Sequence, residues 1–131
     1  MKVLIDTSAL MAYIDVRDRF HRDAVLTFER LAGNGSLVVH SYAVSETISL
    51  VQRRIGMEAL RDYAMFLEPA LEVAWVDDRL HRRALASLLA ADRRGISFVD
   101  HVSFEVMRDL DIDTAFTFDG DFAAQGFTVV P

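Results

Sequence analysis

The sequence predicts an α/β protein: a central, mostly parallel sheet of about five strands with helices on both faces, a three-layer α/β/α sandwich. Three observations predict it. Short apolar stretches of strand length alternate with amphipathic stretches of helix length from end to end. The first strand, Val3 to Ile5, is an unbroken apolar run, which suits a strand covered on both faces. With 131 residues, 52% of them apolar and 26% charged, the chain has enough material for one core and too little for two, so residues 1–131 are expected to form a single domain.

The elements follow in order. After Val3 to Ile5, a helix is expected from about Ser8 to Ile14 and another from Phe20 to Ala32, stopped by the glycines of "GNG". "SLVVH" is the second strand. A helix from Tyr42 to Ile55 ends at Gly56, and Met57 to Leu67 gives another, halted before Pro69. "LEVAWV" is the third strand. Asp77 and Asp78 occupy the cap and first turn of a helix that runs to about Arg94 and ends at Gly95. "SFVDHVSFEVMRDL" is a helix whose Ser97 and Asp100 are spaced like a capping box. "TAFTF" and "FTVV" are the fourth and fifth strands, joined by a turn or short helix beginning at Asp119.

Composition narrows the function. There are no cysteines, which removes disulfides and thiolate metal sites and is compatible with a reducing compartment. No apolar run approaches the roughly 18 residues of a membrane span. The chain opens on a strand without the basic segment and cleavage site of a signal peptide, so a cytoplasmic location is expected. The net charge of −6 disfavours nucleic acid as a whole-surface partner, but acids gathered into one site distort that reading. The arginine pairs Arg53–Arg54, Arg82–Arg83 and Arg93–Arg94 read as solvated helix faces; the alternative is phosphate contact from the rim of a cleft.

The acids are where the chemistry lies. In a doubly wound fold, ligands bind beyond the carboxyl ends of the strands. Asp6 ends the first strand and Asp119 follows the fourth. Glu46 and Asp100 lie on helices instead. At 100° per residue, Val44, Ile48, Val51 and Ile55 form one stripe, broadened by Ala43 and Leu50, and Glu46 falls just beyond Leu50. Val99, Val102, Val106 and Leu110 form the stripe of the later helix, flanked by Met107, with Asp100 just beyond it. Each acid also has a plain structural reading: a cap at Asp6, a turn at Asp119, a dipole partner at Asp100 and a solvated position at Glu46. Should they converge, two carboxylates about 5 Å apart repel by roughly 3 kcal/mol at an effective dielectric near 20. Four together demand protons or a cation. Oxygen ligands without cysteine or paired histidines suit Mg²⁺ or Mn²⁺, and such an ion promotes attack of water on phosphodiesters.

The segments "VLIDTSAL", "SETISL", "SFVDHVSFEVM" and "TFDGDF", in this order and spacing, resemble the PIN domain, and in particular the VapC-type toxins of prokaryotic toxin–antitoxin pairs. The likeness spans nearly the whole chain. It implies an α/β/α fold and a Mg²⁺- or Mn²⁺-dependent endoribonuclease that leaves a 5′-phosphate and a 3′-hydroxyl. It further implies a cognate antitoxin and a homodimer. The family's acids fall on Asp6, Glu46, Asp100 and Asp119, as catalytic residues and metal ligands. Asp121 matches a further acid, and Thr7 and Ser8 match the small polar pair beside the first Asp. His101 departs from the family's usual small residue and reads as a helix-surface histidine, with a role as donor or phosphate contact as the alternative.

Other readings are weaker. His21, His40 and His81 have no paired spacing for acid–base catalysis without metal. "VDDRL" resembles the acid pair of phospho-receiver domains, but the chain's only lysine is Lys2. "LIDTS" resembles haloacid dehalogenase-type phosphatases, whose second Asp is Ser8 here. Two alternatives to the nuclease are kept: an RNA- or antitoxin-binding module with little cleavage, and a metal-dependent phosphatase. Aromatic residues and methionines are expected mostly in the core; for exposed ones on the first two helices, Met11, Tyr13 and Phe20, the alternative is packing against a partner.

Overall fold

The computed structural model describes residues 1–33 and 35–131. Five strands, β1 (Lys2–Ile5), β2 (Ser36–His40), β3 (Glu72–Ala74), β4 (Thr114–Phe116) and β5 (Thr128–Val130), form one sheet in the order β3-β2-β1-β4-β5. Every pairing is parallel. The helices are α1 (Thr7–Ile14), α2 (His21–Ala32), α3 (Ser41–Arg54), α4 (Met57–Asp62), α5 (Asp78–Ala91), α6 (Phe98–Asp109) and α7 (Asp121–Ala124).

Side-chain alternation along β1 divides the core in two. Val3 and Ile5 join Leu37 and Val39 of β2 beneath α1, α2 and α3. Leu4 joins Val38 and Ala115 beneath α5 and α6. Both faces of the sheet are thus covered, and the unbroken apolar run at residues 3–5 has its physical reason. From β1 the chain builds outward through β2 to β3, then returns through α5 and α6 to place β4 on the other side of β1. The winding therefore reverses between β1 and β4, and their carboxyl ends open a crevice there.

Several boundaries differ from expectation. Beyond Asp62 the helix widens into a π-helical turn, Tyr63–Leu67, and Pro69 sits inside a following 3₁₀ turn, Glu68–Ala70, instead of halting the helix ahead of it. A proline in a first turn sacrifices no hydrogen bond, which is why it is accepted. Helix α5 stops at Ala91, not Arg94, because Asp92 takes the left-handed conformation (φ 50°) that short polar side chains tolerate. Strand β3 ends at Ala74, and the Val76 amide is drawn off to the Ser41 hydroxyl at 3.0 Å. Helix α7 begins at Asp121 rather than Asp119. Of the "GNG" stop, Gly33 caps α2 and Asn34 lies outside the described residues.

Burial corrects three further expectations. Helix α6 has no simple stripe: all residues from His101 to Met107 are buried, while Leu110, expected inside, is exposed. The helix lies between the sheet and α5, so both sides are covered. His101 is accordingly no surface residue but 4% exposed, set edge-on to Phe104 at 5.7 Å. Met11 is buried and Phe20 half-buried, whereas Met57, Met65, Phe66 and Trp75, expected in the core, are exposed.

Candidate functional site

Four separate segments meet at the carboxyl edge of the sheet. A cleft of about 440 Å³ is lined by Asp6, Thr7 and Ser8 after β1, Glu46, Leu50 and Arg54 on α3, Ser97 and Asp100 at the head of α6, and Phe118 and Asp119 after β4. Met11, Asp18 and Phe20 complete the wall. All four acids singled out in the sequence border this one cavity.

Asp6 is 4% exposed yet well supplied with donors. Its Oδ1 accepts from the Ser8 hydroxyl at 2.7 Å and from the Ala9 amide at 3.0 Å, the latter bond capping α1. Its Oδ2 accepts from the Thr117 hydroxyl at 2.7 Å. Burial pushes the Asp6 carboxyl above its ordinary range; these three bonds oppose the rise and the nearby Asp119 adds to it. Asp6 therefore both caps α1 and borders the cleft.

Thr117 and Ser8 also tie the two strand ends together. The Asp119 amide donates to Thr117 Oγ1 at 2.9 Å and the Phe118 amide to Ser8 Oγ at 3.1 Å. The Asp121 amide donates to Asp119 Oδ1 at 2.9 Å, folding "DGD" into a tight turn. One carboxylate oxygen each from Asp100, Asp119 and Asp121 lies within 4.8 Å of the others. At that distance each pair of charges repels by about 3 kcal/mol at an effective dielectric near 20. Burial, then the Asp119 and Asp6 charges, push the Asp100 carboxyl up to about 7. The Asp121 carboxyl is raised by desolvation and Asp119, against the pull of Arg93. Asp121 thus belongs to the tightest group of acids, whereas Asp6 and Glu46 border it.

The set fits a hard divalent cation. Its donors are all oxygens, their mutual repulsion is uncompensated, and Thr7 Oγ1 is a buried hydroxyl in the same cleft with no hydrogen-bond partner among the described residues.

Two positioning residues escaped sequence reasoning. Thr117 is the first; its signal was a hydroxyl two residues before Asp119 at a strand end. The second is His40, wholly buried at the end of β2. Its Nδ1 accepts from the Ala43 amide at 3.1 Å and so caps α3. That bond leaves the proton on Nε2, which faces Ser103 Oγ on α6 at 2.9 Å. His40 thereby links the helix that carries Glu46 to the helix that carries Asp100. Burial holds its pKa down to about 4, keeping it neutral and an acceptor.

A parallel α/β sheet with an acid-lined cleft at its switch point defines a protein suited to gathering cations and the phosphates they attract. Residues 3–127 match the model of the PIN domain, and the chain belongs to that family. It is 36% identical over 131 residues to the 23S rRNA-specific endonuclease VapC20 of Mycobacterium tuberculosis, spanning 98% of this chain and 97% of the relative. A crystal structure of the M. tuberculosis VapC20, described as a sarcin–ricin loop cleaving toxin, superposes with a TM-score of 0.84 at 34% identity over 98% and 99% of the two chains. The fold also matches that of VapBC2 from Rickettsia felis, bound to a DNA fragment from their promoter, with a TM-score of 0.74 at 14% identity over 98% and 97%.

Proposed function

We propose that this chain, acting as one domain over residues 1–131, is a Mg²⁺- or Mn²⁺-dependent endoribonuclease and the toxin of a type II toxin–antitoxin pair. The observation that carries the proposal is the meeting of Asp6, Glu46, Asp100, Asp119 and Asp121, drawn from four parts of the chain, around one cleft at the switch point. Asp100, Asp119 and Asp121 would hold the ion, with Asp6 and Glu46 beside it. A bound divalent ion supplies a Lewis acid that stabilises charge on the phosphate and makes water a competent nucleophile. The chain's own residues do the positioning. The hydroxyls of Ser8 and Thr117 aim Asp6 and oppose the effect of its burial, and the turn at Gly120 holds Asp119 and Asp121 on one side. His40 fixes the spacing of the two helices that bring Glu46 and Asp100.

The named activity of the VapC20 relative makes ribosomal RNA the substrate to test. We further assign the protein a cognate antitoxin, a homodimeric state and a cytoplasmic location, in keeping with VapC-type family members; among the described residues, no helix is long and apolar enough to cross a membrane. The test is cleavage of purified 23S rRNA with the ends mapped. Discrete products are expected in Mg²⁺ or Mn²⁺, none in excess EDTA, and none from Asp100→Asn. Products that persist in EDTA would count against the metal, and products that persist in the variant against the site.

A further inference from the structure

We propose that Arg54 binds a phosphate of the RNA strand within a few nucleotides of the one being cleaved, so that the strand leaves the acidic pocket along α3. The proposal rests on the ribonuclease reading and adds a substrate contact to it. A cleft lined by Asp6, Asp18, Glu46, Asp100 and Asp119 repels a polyanion, and an ion held by the aspartates would offset that repulsion only for the phosphate beside it. Among the described residues that line this cleft, Arg54 is the one cation.

Its placement fits a neighbouring phosphate. Glu46, Leu50 and Arg54 recur every four residues and face the cleft as one ridge of α3. Eight residues at 1.5 Å each set Arg54 about 12 Å from Glu46 along the axis. That is too far to share one phosphate group and within the span of a short run of nucleotides. The guanidinium is also uncommitted. Arg79, Arg82, Arg83 and Arg108 each meet a carboxylate, whereas Arg54 makes no ion pair or hydrogen bond among the described residues. Favourable placement at a helix C-terminus explains Arg53 equally well, so it does not account for Arg54 facing the cleft. Arg53 is exposed, does not line the cavity, and is the natural control.

The experiment is fluorescence anisotropy of a labelled hairpin from 23S rRNA, titrated with folded protein in Ca²⁺ over a series of KCl concentrations. Arg54→Gln is expected to weaken binding three- to tenfold and to lower the slope of log Kd against log [KCl] by about 0.7 to 0.9, the loss of one phosphate contact. Arg54→Lys keeps the slope, and Arg53→Gln keeps both slope and affinity. Binding by Arg54→Gln that matches the wild type, an equal loss in Arg53→Gln, or failure of the wild type to bind the hairpin overturns the proposal. Wild-type protein that shows the Arg54 effect but cleaves no RNA in Mg²⁺ or Mn²⁺ sinks the ribonuclease reading and leaves the contact standing.

Discussion

Replacing Asp100 by Asn should make the metal-free protein more stable, increasingly so as the pH rises. The Asp100 carboxyl titrates near 7 in the folded protein, against 3.8 for an unperturbed aspartate. Below 3.8 folded and unfolded chains both carry the proton. Between 3.8 and 7 the unfolded chain releases it while the folded chain retains it, so stability is lost as the pH rises through about 7. Asparagine has no such proton. From pH 5 to pH 8, about two units of the shift come into play, ~2.7 kcal/mol at full strength. Asp100 is only half-buried, and solvent screening brings this to ~1.4 kcal/mol. For 131 residues the unfolding entropy is ~0.28 kcal/mol/K, so the gap in Tm between variant and wild type should widen by ~5 °C. Thermal unfolding of both proteins in EDTA, at pH 5 and pH 8 and constant ionic strength, measures it. Taking the difference removes the titrations that do not sense the Asp100 charge, including that of His40. A gap that stays constant or narrows as the pH rises refutes the claim that uncompensated negative charge is concentrated at this site.

Three more outcomes follow from the geometry. Thr117→Val removes the donor to Asp6 Oδ2 and should lower RNA cleavage 10- to 100-fold, while Thr117→Ser preserves it; unchanged turnover in the valine variant would show that Asp6 does not depend on this bond. Asp121→Asn should weaken Mn²⁺ binding, followed by electron paramagnetic resonance, at least as much as Glu46→Gln does, because Asp121 and not Glu46 belongs to the tight carboxylate group; the reverse order contradicts it. His40, held near 4 when folded against 6.5 when free, gives stability that is complete above pH 6.5 and lost as the pH falls toward 4. In His40→Asn the fall in Tm from pH 7 to pH 4.5 should be smaller than in the wild type, and an equal fall would mean that other groups govern acid unfolding.

How far the sequence carried depended on whether a residue's role was local. The alternation of strands and helices, the cap at Asp6 and the position of Asp119 are properties of short segments, and they were legible. Glu46 was placed by the "SETISL" motif and by periodicity, and periodicity served here because α3 packs on one side and keeps a solvent face. The same reasoning gave Asp100 the right border for a wrong reason: α6 is covered by α5 as well as by the sheet, so its apolar stripe carries no information about exposure. His101 was misread through the same gap. Thr117 was invisible because threonine is an ordinary strand residue, and only the fold brings its hydroxyl to a carboxylate 111 positions away. His40 was passed over because a search for paired histidines has no place for one that caps a helix.

The chain shows two ways of handling acids in a folded protein, and the contrast bears on what the cleft is for. Glu105, buried on α6, is met by the Arg83 guanidinium at 2.9 Å, Arg108 at 3.2 Å and the Ser87 hydroxyl at 3.0 Å. There arginines neutralise an acid that cements α5 to α6. At the cleft, among the described residues, none of Asp6, Glu46, Asp100, Asp119 and Asp121 has an arginine or lysine within ion-pair distance. The partners of Asp6 and Asp119 are hydroxyls and amides, which orient a carboxylate without cancelling its charge. A sequence with 14 lysines and arginines had the means to pair these acids. Leaving them unpaired lowers the stability of the metal-free fold, and the charge stays available to a cation that arrives from solution.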